Sequence, residues 1–351
     1  MRVISRIILV GIFSCLVFFI ATAQKPDTLH IIGVGDIMLG TSYPSVKYLP
    51  PKDDCRPLLY EVKNILQDAD VTFGNLEGCF LNNGPTTKKC EDSLKCYAFR
   101  MPDKYAQCLK EAGFNVLSLA NNHSGDFGQK GRTNTMRLLD SLKIEYGGLL
   151  SKPTASFEID SIKYGFIAFA PIRGTLDLLK LEIAQKMVRE LDEKNDIVLV
   201  SFHGGAEGRQ HENITRKSEK FYGEDRGNVY EFAHQMIDAG ADIIFGHGPH
   251  VARAFEVYKG RFIAYSLGNF CTYARFNLSG PNGIAPIVKV FVSQDGTFLE
   301  GKIYSAHQMG EGGARLDPNK KALRKIKYLS QEDFPENKIQ FLDDGRFFLE
   351  E

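Results

Sequence analysis

Two rhythms of apolar residues run along this chain. Short unbroken apolar runs have the pattern of buried strands. Longer stretches with apolar residues every three or four positions have the pattern of one-sided helices. The runs in LHIIGVGDIMLG (29–40), ADVTFGNLEG (69–78), FNVLSLANNHSGDFG (114–128), DIVLVSFHGGAEG (196–208) and ADIIFGHGPHV (241–251) predict five buried strands, each passing into glycine and polar residues. Helical spacing predicts helices in PDKYAQCLKEAG (102–113), GQKGRTNTMRLLDSLK (128–143), KLEIAQKMVRELDEKN (180–195) and NVYEFAHQMIDAG (228–240). Alternating patterns that turn at Asp160-Ser161, Lys259-Gly260 and Asp295-Gly296 predict three hairpins. IEYGG (144–148) reads as a short extended piece and NKKALRKIKYLS (319–330) as a short basic helix.

Strand–helix alternation followed by a meander, with no Pro- or Ser-rich linker between, predicts one α/β domain with substantial antiparallel content. Two central sheets covered by helices satisfy this order; a single doubly wound sheet is the alternative. The domain is expected over 28–308, with 309–351 as a C-terminal extension.

The five strand-end loops hold Asp36, then Asn75 with Glu77, Asn122 with His123, His203, and His247 with His250. Loops at the carboxyl ends of strands in a layered α/β fold converge on one rim. Asp, Glu, Asn and His are the donor types that hold a divalent cation such as Zn, Mn or Fe. Two such ions sharing a bridging carboxylate would need ligands from several chain segments, which this rim supplies. Paired histidines in the glycine loop GHGPHV (246–251) are poor packing material. Taken singly, each residue has an ordinary structural role: Asp36 in a turn, Asn75 and Glu77 in a polar turn, the asparagines as turn formers. Asp126 shares a loop with His123 and would orient it, or form an Asx turn with Gly128. Glu207 lies four residues beyond His203, Arg173 follows a strand and would meet a substrate anion, and Asn269 would donate hydrogen bonds at the rim.

Residues 1–23 change the expected compartment. Arg2 and Arg6 precede a 14-residue apolar run, IILVGIFSCLVFFI, and Ala-Thr-Ala stands before Gln24. This is the order of a secretory signal, with an uncleaved N-terminal anchor as the alternative. The expected location is therefore the periplasm or cell envelope. Six cysteines follow it, Cys55, Cys79, Cys90, Cys96, Cys108 and Cys271, and exported chains with even counts form disulfides. One or two are expected, and a staple among Cys79, Cys90 and Cys96 would order the polar insertion they flank. Lys plus Arg equals Asp plus Glu at 43 each, so no basic excess points to nucleic acid.

The segments GVGDIMLG, GNLEG, SLANNHSGDFG, SFHGGAE, GHGPHV and YSLGNF occur in this order over roughly 29–275. They resemble the capsule-synthesis protein CapA family, also called the poly-γ-glutamate synthesis family. That family is similar in fold to the calcineurin-like metallophosphoesterases, which implies a four-layer α/β/β/α sandwich. The resemblance implies Asp36 as the first metal aspartate, Glu77 or Asn75 in place of the bridging aspartate, and Asn122 as metal ligand beside a catalytic His123. It further implies His203 and His247 on a second metal and His250 on the first. Two positions depart from the phosphoesterase pattern: Met38 stands where the first motif has histidine, and Asn-Leu-Glu replaces the second aspartate.

Three functions of different classes follow. The first is an exported metal-dependent hydrolase of a phosphoester or amide in an envelope polymer, with one or two divalent ions and His123 as general acid or oxyanion donor. The second is a non-catalytic scaffold or polymer-binding component of a surface-polymer assembly machine, working beside a membrane-bound polymer synthase. The third, a metal-free binding protein, explains the histidine loops worst.

Overall fold

The computed structural model describes residues 27–88 and 97–350. The first part of the chain forms β1 (Thr28–Met38), α1 (Lys63–Leu66), β2 (Val71–Leu76), β3 (Cys79–Phe80), β4 (Arg100–Met101), α2 (Tyr105–Ala112), β5 (Val116–Ser118), α3 (Gly128–Leu142) and β6 (Glu145–Gly147). The middle forms β7 (Thr154–Ile159), β8 (Ile162–Phe169), α4 (Leu181–Asp192), β9 (Ile197–His203), β10 (Glu219–Phe221), β11 (Glu224–Gly227), α5 (Val229–Asp238), β12 (Ile243–His247), β13 (Phe255–Tyr258) and β14 (Arg261–Ala264). The last part forms β15 (Asn269–Thr272), β16 (Ile284–Ser293), β17 (Phe298–His307), β18 (Arg315–Leu316), α6 (Lys321–Asp333), β19 (Ile339–Phe341) and β20 (Arg346–Leu349).

These strands make two large sheets. One runs β19-β20-β17-β16-β1-β2-β5-β6, with β15 beside β1 and β18 beside β17. The other runs β13-β14-β12-β9-β8-β7. β1, β2, β5 and β6 are mutually parallel, as are β8, β9, β12 and β14. Parallel strands need both faces covered, which is why their sequences read as unbroken apolar runs. The inner faces meet in one core that includes Ile31, Phe73, Val116, Phe166, Leu199 and Phe245. Phe73 stacks on Phe245 across it, ring centroids 5.4 Å apart. A second core joins the outer face of the first sheet to α2 and α3 through Val34, Leu109 and Leu139. A third joins the outer face of the other sheet to α4 and α5 through Val198, Val188 and Phe232. The result is the four-layer α/β/β/α sandwich.

The helices are bounded as their sequences direct. Asn228 caps α5 by accepting from the Glu231 amide, and the Asn228 amide group donates back to the Glu231 carboxylate. Gly113 ends α2 at φ 106°, a left-handed turn that a Cβ would strain.

Two expectations are corrected, and the extension from 309 onward is located. The YSLGNF segment does not simply continue the hairpin β13–β14. The chain leaves the second sheet after β14, turns at Gly268 and enters the first sheet as β15, parallel to β1. The disulfide is Cys55–Cys108, joining the segment before α1 to α2. Cys79 is a buried free thiol, so it takes no part in a staple, and Cys90 and Cys96 lie outside the described residues. From 309 onward the chain is built into the sandwich: β18 and β20 pair with β17, and α6 contributes Ala322, Leu323 and Ile326 to the central core. Residues 1–23 also lie outside the described residues. No helix among the described residues is long and apolar enough to cross a membrane.

Candidate metal centre and cleft

All five predicted loops leave the carboxyl ends of parallel strands at one rim, three from the first sheet and two from the second. Close backbone contact brings the sheets together there. A Cβ on Gly35 would lie 2.0 Å from the Gly268 carbonyl, and the Asp36 amide donates to that carbonyl at 2.8 Å. The two histidine loops also cross: Gly248, at φ 116°, packs against the backbone of Gly204. Only glycine permits approach this close.

Asp36 and Glu77 are wholly buried. Asp36 Oδ1 accepts from the Asn75 side-chain amide at 2.8 Å, and Oδ2 meets His250 Nδ1 at 2.8 Å. The same Asn75 nitrogen reaches Glu77 Oε2 at 3.4 Å. His250 Nε2 lies 3.6 Å from Glu77 Oε1, and His123 Nε2 lies 3.8 Å from it. His203 completes a set with Asp36 and Glu77 whose donor atoms all fall within 4.8 Å of one another.

The buried polar atoms left without partners are informative. Both ring nitrogens of His203, Glu77 Oε1 and Asn122 Oδ1 have no hydrogen-bond partner, the ring nitrogens nearest Glu77 Oε1 standing 3.6 and 3.8 Å away. Most buried polar groups in folded proteins are paired, and leaving one unpaired costs about 1–3 kcal/mol. With Asn269 Oδ1 and Asp126 Oδ1 (the latter ion-paired with Lys88), six such atoms come from residues picked out in the sequence, and the four named above are of the donor types that bind a divalent cation. On this observation the residues fit a metal ion.

The charges are matched to one another. Burial alone would raise the Asp36 carboxyl, but the hydrogen bond and charge of His250, with His247 and His203, hold it well below the usual range. Burial and the Asp36 charge push Glu77 well above the usual range. Burial opposes charge on His250, yet Glu77 and Asp36 push it up to about 10. Burial pushes His203 well below its ordinary value and lowers His123 and His247 as well. Without metal, an imidazolium at His250 therefore balances the Asp36 carboxylate.

The other predicted residues divide by what they touch. Asn75 turns its amide nitrogen toward the carboxylates, while its oxygen accepts from Asn121 at 3.0 Å; it positions the acids. His247 sits beside the cluster, but Nε2 meets the Val34 carbonyl at 3.1 Å and Nδ1 faces the Ser201 hydroxyl at 3.4 Å. His123 Nδ1 is 2.8 Å from Asp126 Oδ2, which also accepts from the Phe99 amide. The Asp126 pairing thus fixes the ring and leaves Nε2 toward Glu77. Asn269 does not reach into the cluster by its nitrogen; it donates to the carbonyls of His250 and Asn282. Arg173 lies exposed in the loop after β8, away from the lining of the cleft, its carbonyl accepting from Arg132.

A cleft of about 630 Å³ opens above His123 and His250, with Glu207 in its wall. Glu207 Oε2 lies 3.9 Å from His250 Nε2, and Oε1 lies 3.4 Å from Arg226. The positive groups of this wall are Arg226, Lys88 and Arg275 rather than Arg173. Lys88 pairs with Asp126 Oδ1 at 3.0 Å. Sequence reading missed these three, along with Asn121, Asn282 and Arg253. Asn121 stood within the NNHSGD loop and was legible as a neighbour of the ligands. The others lie in segments with no motif of their own, and only the fold brings them to the rim.

The four layers and the strand-end cluster of carboxylates and histidines define an α/β sandwich with a candidate divalent-metal site. The profile described as "Bacterial capsule synthesis protein PGA_cap" matches residues 30–274, and the chain belongs to that family. It is 30% identical over 268 residues to the "Capsule biosynthesis protein CapA" of Bacillus anthracis, covering 70% of this chain and 60% of that one. It is also 30% identical over 262 residues to the "PGA biosynthesis protein CapA" of Bacillus subtilis, covering 70% and 63%. The match therefore spans less than two thirds of the length of these curated relatives. Among solved structures it resembles a hypothetical protein from Thermus thermophilus (18% identity, TM-score 0.48, 81% of this chain and 100% of that one). It also resembles a putative 5'-nucleotidase from Staphylococcus aureus (13% identity, TM-score 0.45, 87% and 58%).

Proposed function

We propose that the chain is an exported metal-dependent hydrolase that acts on an anionic cell-surface polymer or its precursor, cleaving a phosphoester or an amide. The observation that carries this reading is the convergence of unpartnered buried donors from His203, Glu77 and Asn122 beside Asp36. Asp36, Glu77 and His203 would hold a divalent ion (Mn, Zn or Fe), with Asn122 and His250 beside them. Such an ion, when bound, supplies Lewis acidity and an activated water. The chain's own residues do the rest. Asp126 accepts from His123 Nδ1 and fixes the ring with Nε2 beside Glu77; once Nε2 has taken a proton, His123 would return it to a leaving group. The Phe99 ring, 4.2 Å from the imidazole, keeps water from its flank. Arg226, Lys88 and Arg275 line the cleft for a negatively charged substrate. Export by residues 1–23 would place it in the periplasm or envelope, cleaved or N-terminally anchored, beside a membrane-bound polymer synthase.

The experiment is elemental analysis of purified protein with a phosphoester and γ-glutamyl hydrolysis panel, run beside His203→Ala. Bound metal and turnover in the wild type, both lost in the variant, are expected. Trace metal in the wild type would refute the reading. A second reading, a polymer-binding scaffold without turnover, draws on His247, whose nitrogens are occupied by Val34 and Ser201. Bound metal with no turnover on any substrate would favour it.

A further inference from the structure

A second groove lies on the far side of one wall of the cleft. The short 3-10 turn Gly280–Gly283 and its flanks form that wall. Asn277 and Asn282 line the cleft, while Gly280 and Ile284 line the second groove, together with Lys321, Arg324, Lys325 and Tyr328 of α6. This groove has a volume of about 430 Å³, and its lining holds three cations and no carboxylate. Overall the chain carries equal numbers of acidic and basic residues, so the concentration is local.

Exposed lysines on a helix are ordinary, and three observations set these apart. Lys321 and Arg324 are exposed and enter no salt bridge among the described residues, although the Lys321 amide donates to Asp317; the Lys325 ammonium pairs with Glu212 at 3.0 Å. Glu212 belongs to the loop that also brings Glu207, Gly208 and Gln210 to the cleft, so the two grooves are tied on that side as well. The wall between them is unobstructed at Gly280, where a Cβ would meet nothing within 4 Å, and anchored at Asn282, which donates to the His250 carbonyl at 3.2 Å. Tyr328, 59% exposed, adds an apolar surface beside the cations.

We propose that the α6 groove is a second binding site for a polyanionic chain, one stretch of which lies in the cleft while the next crosses Gly280 onto Lys321, Arg324 and Lys325. The ligand class is a linear polymer with a repeated negative group, carboxylate or phosphate. A single anion fills one groove; a chain fills both, and the second contact raises affinity through effective concentration. The proposal builds on the anionic substrate suggested above, but needs neither metal nor turnover.

The test is equilibrium binding at low salt, with full-length protein and four probes: a long γ-linked glutamate chain, its dimer, inorganic polyphosphate and pyrophosphate. It compares wild type with Lys321→Glu/Arg324→Glu, whose sites are exposed, with the charge-preserving Lys321→Arg/Arg324→Lys, and with His203→Ala. Thermal melting verifies that each variant folds. In the wild type, one long chain is expected to bind more tightly than its short form; whether it is the carboxylate or the phosphate polymer identifies the repeat. The charge reversal should weaken the long chain about tenfold or more and reduce its salt dependence, with the short probe unchanged. The charge-preserving variant should retain wild-type binding. His203→Ala should keep the long-chain advantage even if hydrolysis fails, which separates this site from the catalytic reading. Equal affinity for long and short probes, or charge reversal without effect on the long chain, would overturn the proposal. So would tighter binding to phosphatidylglycerol vesicles than to either polymer, which would make the groove a lipid-facing patch.

Discussion

Arg253 is the largest fully buried side chain among the described residues, and its loss should cost more than that of any surface ion pair. Its guanidinium grips Glu219 in a two-point pair, Nη1–Oε1 3.0 Å and Nη2–Oε2 2.7 Å. Nε donates to the His211 carbonyl at 2.7 Å and Nη2 to the Ala206 carbonyl at 3.3 Å. Glu219 in turn accepts from the Ala206 amide at 2.8 Å. The pair therefore pins β10 and the loop 204–212, which follows His203 and contains Glu207. In Arg253→Met a carboxylate stays buried without its cation, a change that costs about 3–5 kcal/mol. In Arg253→Met/Glu219→Leu the stranded charge is gone, and only the Ala206 amide and two carbonyls lose partners. The double variant should be more stable than Arg253→Met alone, although it carries one more substitution. Urea unfolding of the wild type, both singles and the double measures this as a coupling energy. The reasoning fails if Arg253→Met costs under about 1 kcal/mol, the range of exposed pairs. It fails equally if the two single losses simply add.

Two further predictions concern other residues. His250 sits at φ 58°, a left-handed conformation that costs a non-glycine residue about 1–2 kcal/mol, and its carbonyl is held by the amides of Asn269 and Asn282. Asn282→Ala should weaken metal binding about 10–100-fold by calorimetry, as loss of a ligand's support does; unchanged affinity would remove Asn282 from the site. Asp242, far from the rim, accepts from the Val198 amide and faces Arg261 at 3.3 Å, and burial raises its carboxyl to about 7. The folded value exceeds the unfolded one near 4, so its stabilising contribution is complete below pH 4 and is lost as pH rises through 7. Unfolding free energies across this window should show the wild type losing stability against Asp242→Asn, by about 4 kcal/mol at most. A difference that stays flat with pH contradicts the buried-carboxyl argument.

What the sequence made legible follows from where its constraints are local. Parallel strands covered on both faces must be apolar throughout, so β1, β2, β9 and β12 stood out, and with them the loops at their ends. The hairpin β10–β11 was invisible because its strands are short and charged, with Glu224 and Asp225 exposed; contacts from distant segments fix it, Arg253 on Glu219 and Glu207 on Arg226 among them. β15 was read as hairpin continuation because apolar alternation does not say which sheet a strand joins. The crossing at Gly268 decides that, by close backbone contact across 232 residues of sequence (Asp36 to Gly268). The same limit applied at the site. Residue types pointed to His247 as a ligand, but the direction of a ring nitrogen depends on a carbonyl in another sheet, Val34. The cations of the cleft come from three separated segments, and none has a motif.

The rim also separates a metal-binding chain from a metal-free one by stability alone. A metal-free protein has no use for buried donors without hydrogen-bond partners beside a carboxylate, and selection for stability would have paired them or replaced them with apolar groups. Glu77 is wholly buried, has one oxygen unpartnered, and stands beside the Asp36 carboxylate. That arrangement destabilises the metal-free protein by about 1–3 kcal/mol. A ligand that binds only the folded state offsets this, adding about 2.7 kcal/mol at a hundred times its dissociation constant. Glu77→Gln removes a carboxyl that burial and Asp36 make costly to ionise, and keeps the shape. In chelator it should melt at or above the wild-type temperature, and metal addition should raise the wild type while leaving the variant nearly unmoved. This is the loss of stability expected where a site is kept for binding an ion rather than for packing. If Glu77→Gln instead melts lower than wild type in chelator, the carboxylate is a structural hydrogen-bonding group, and the metal assignment loses its physical basis.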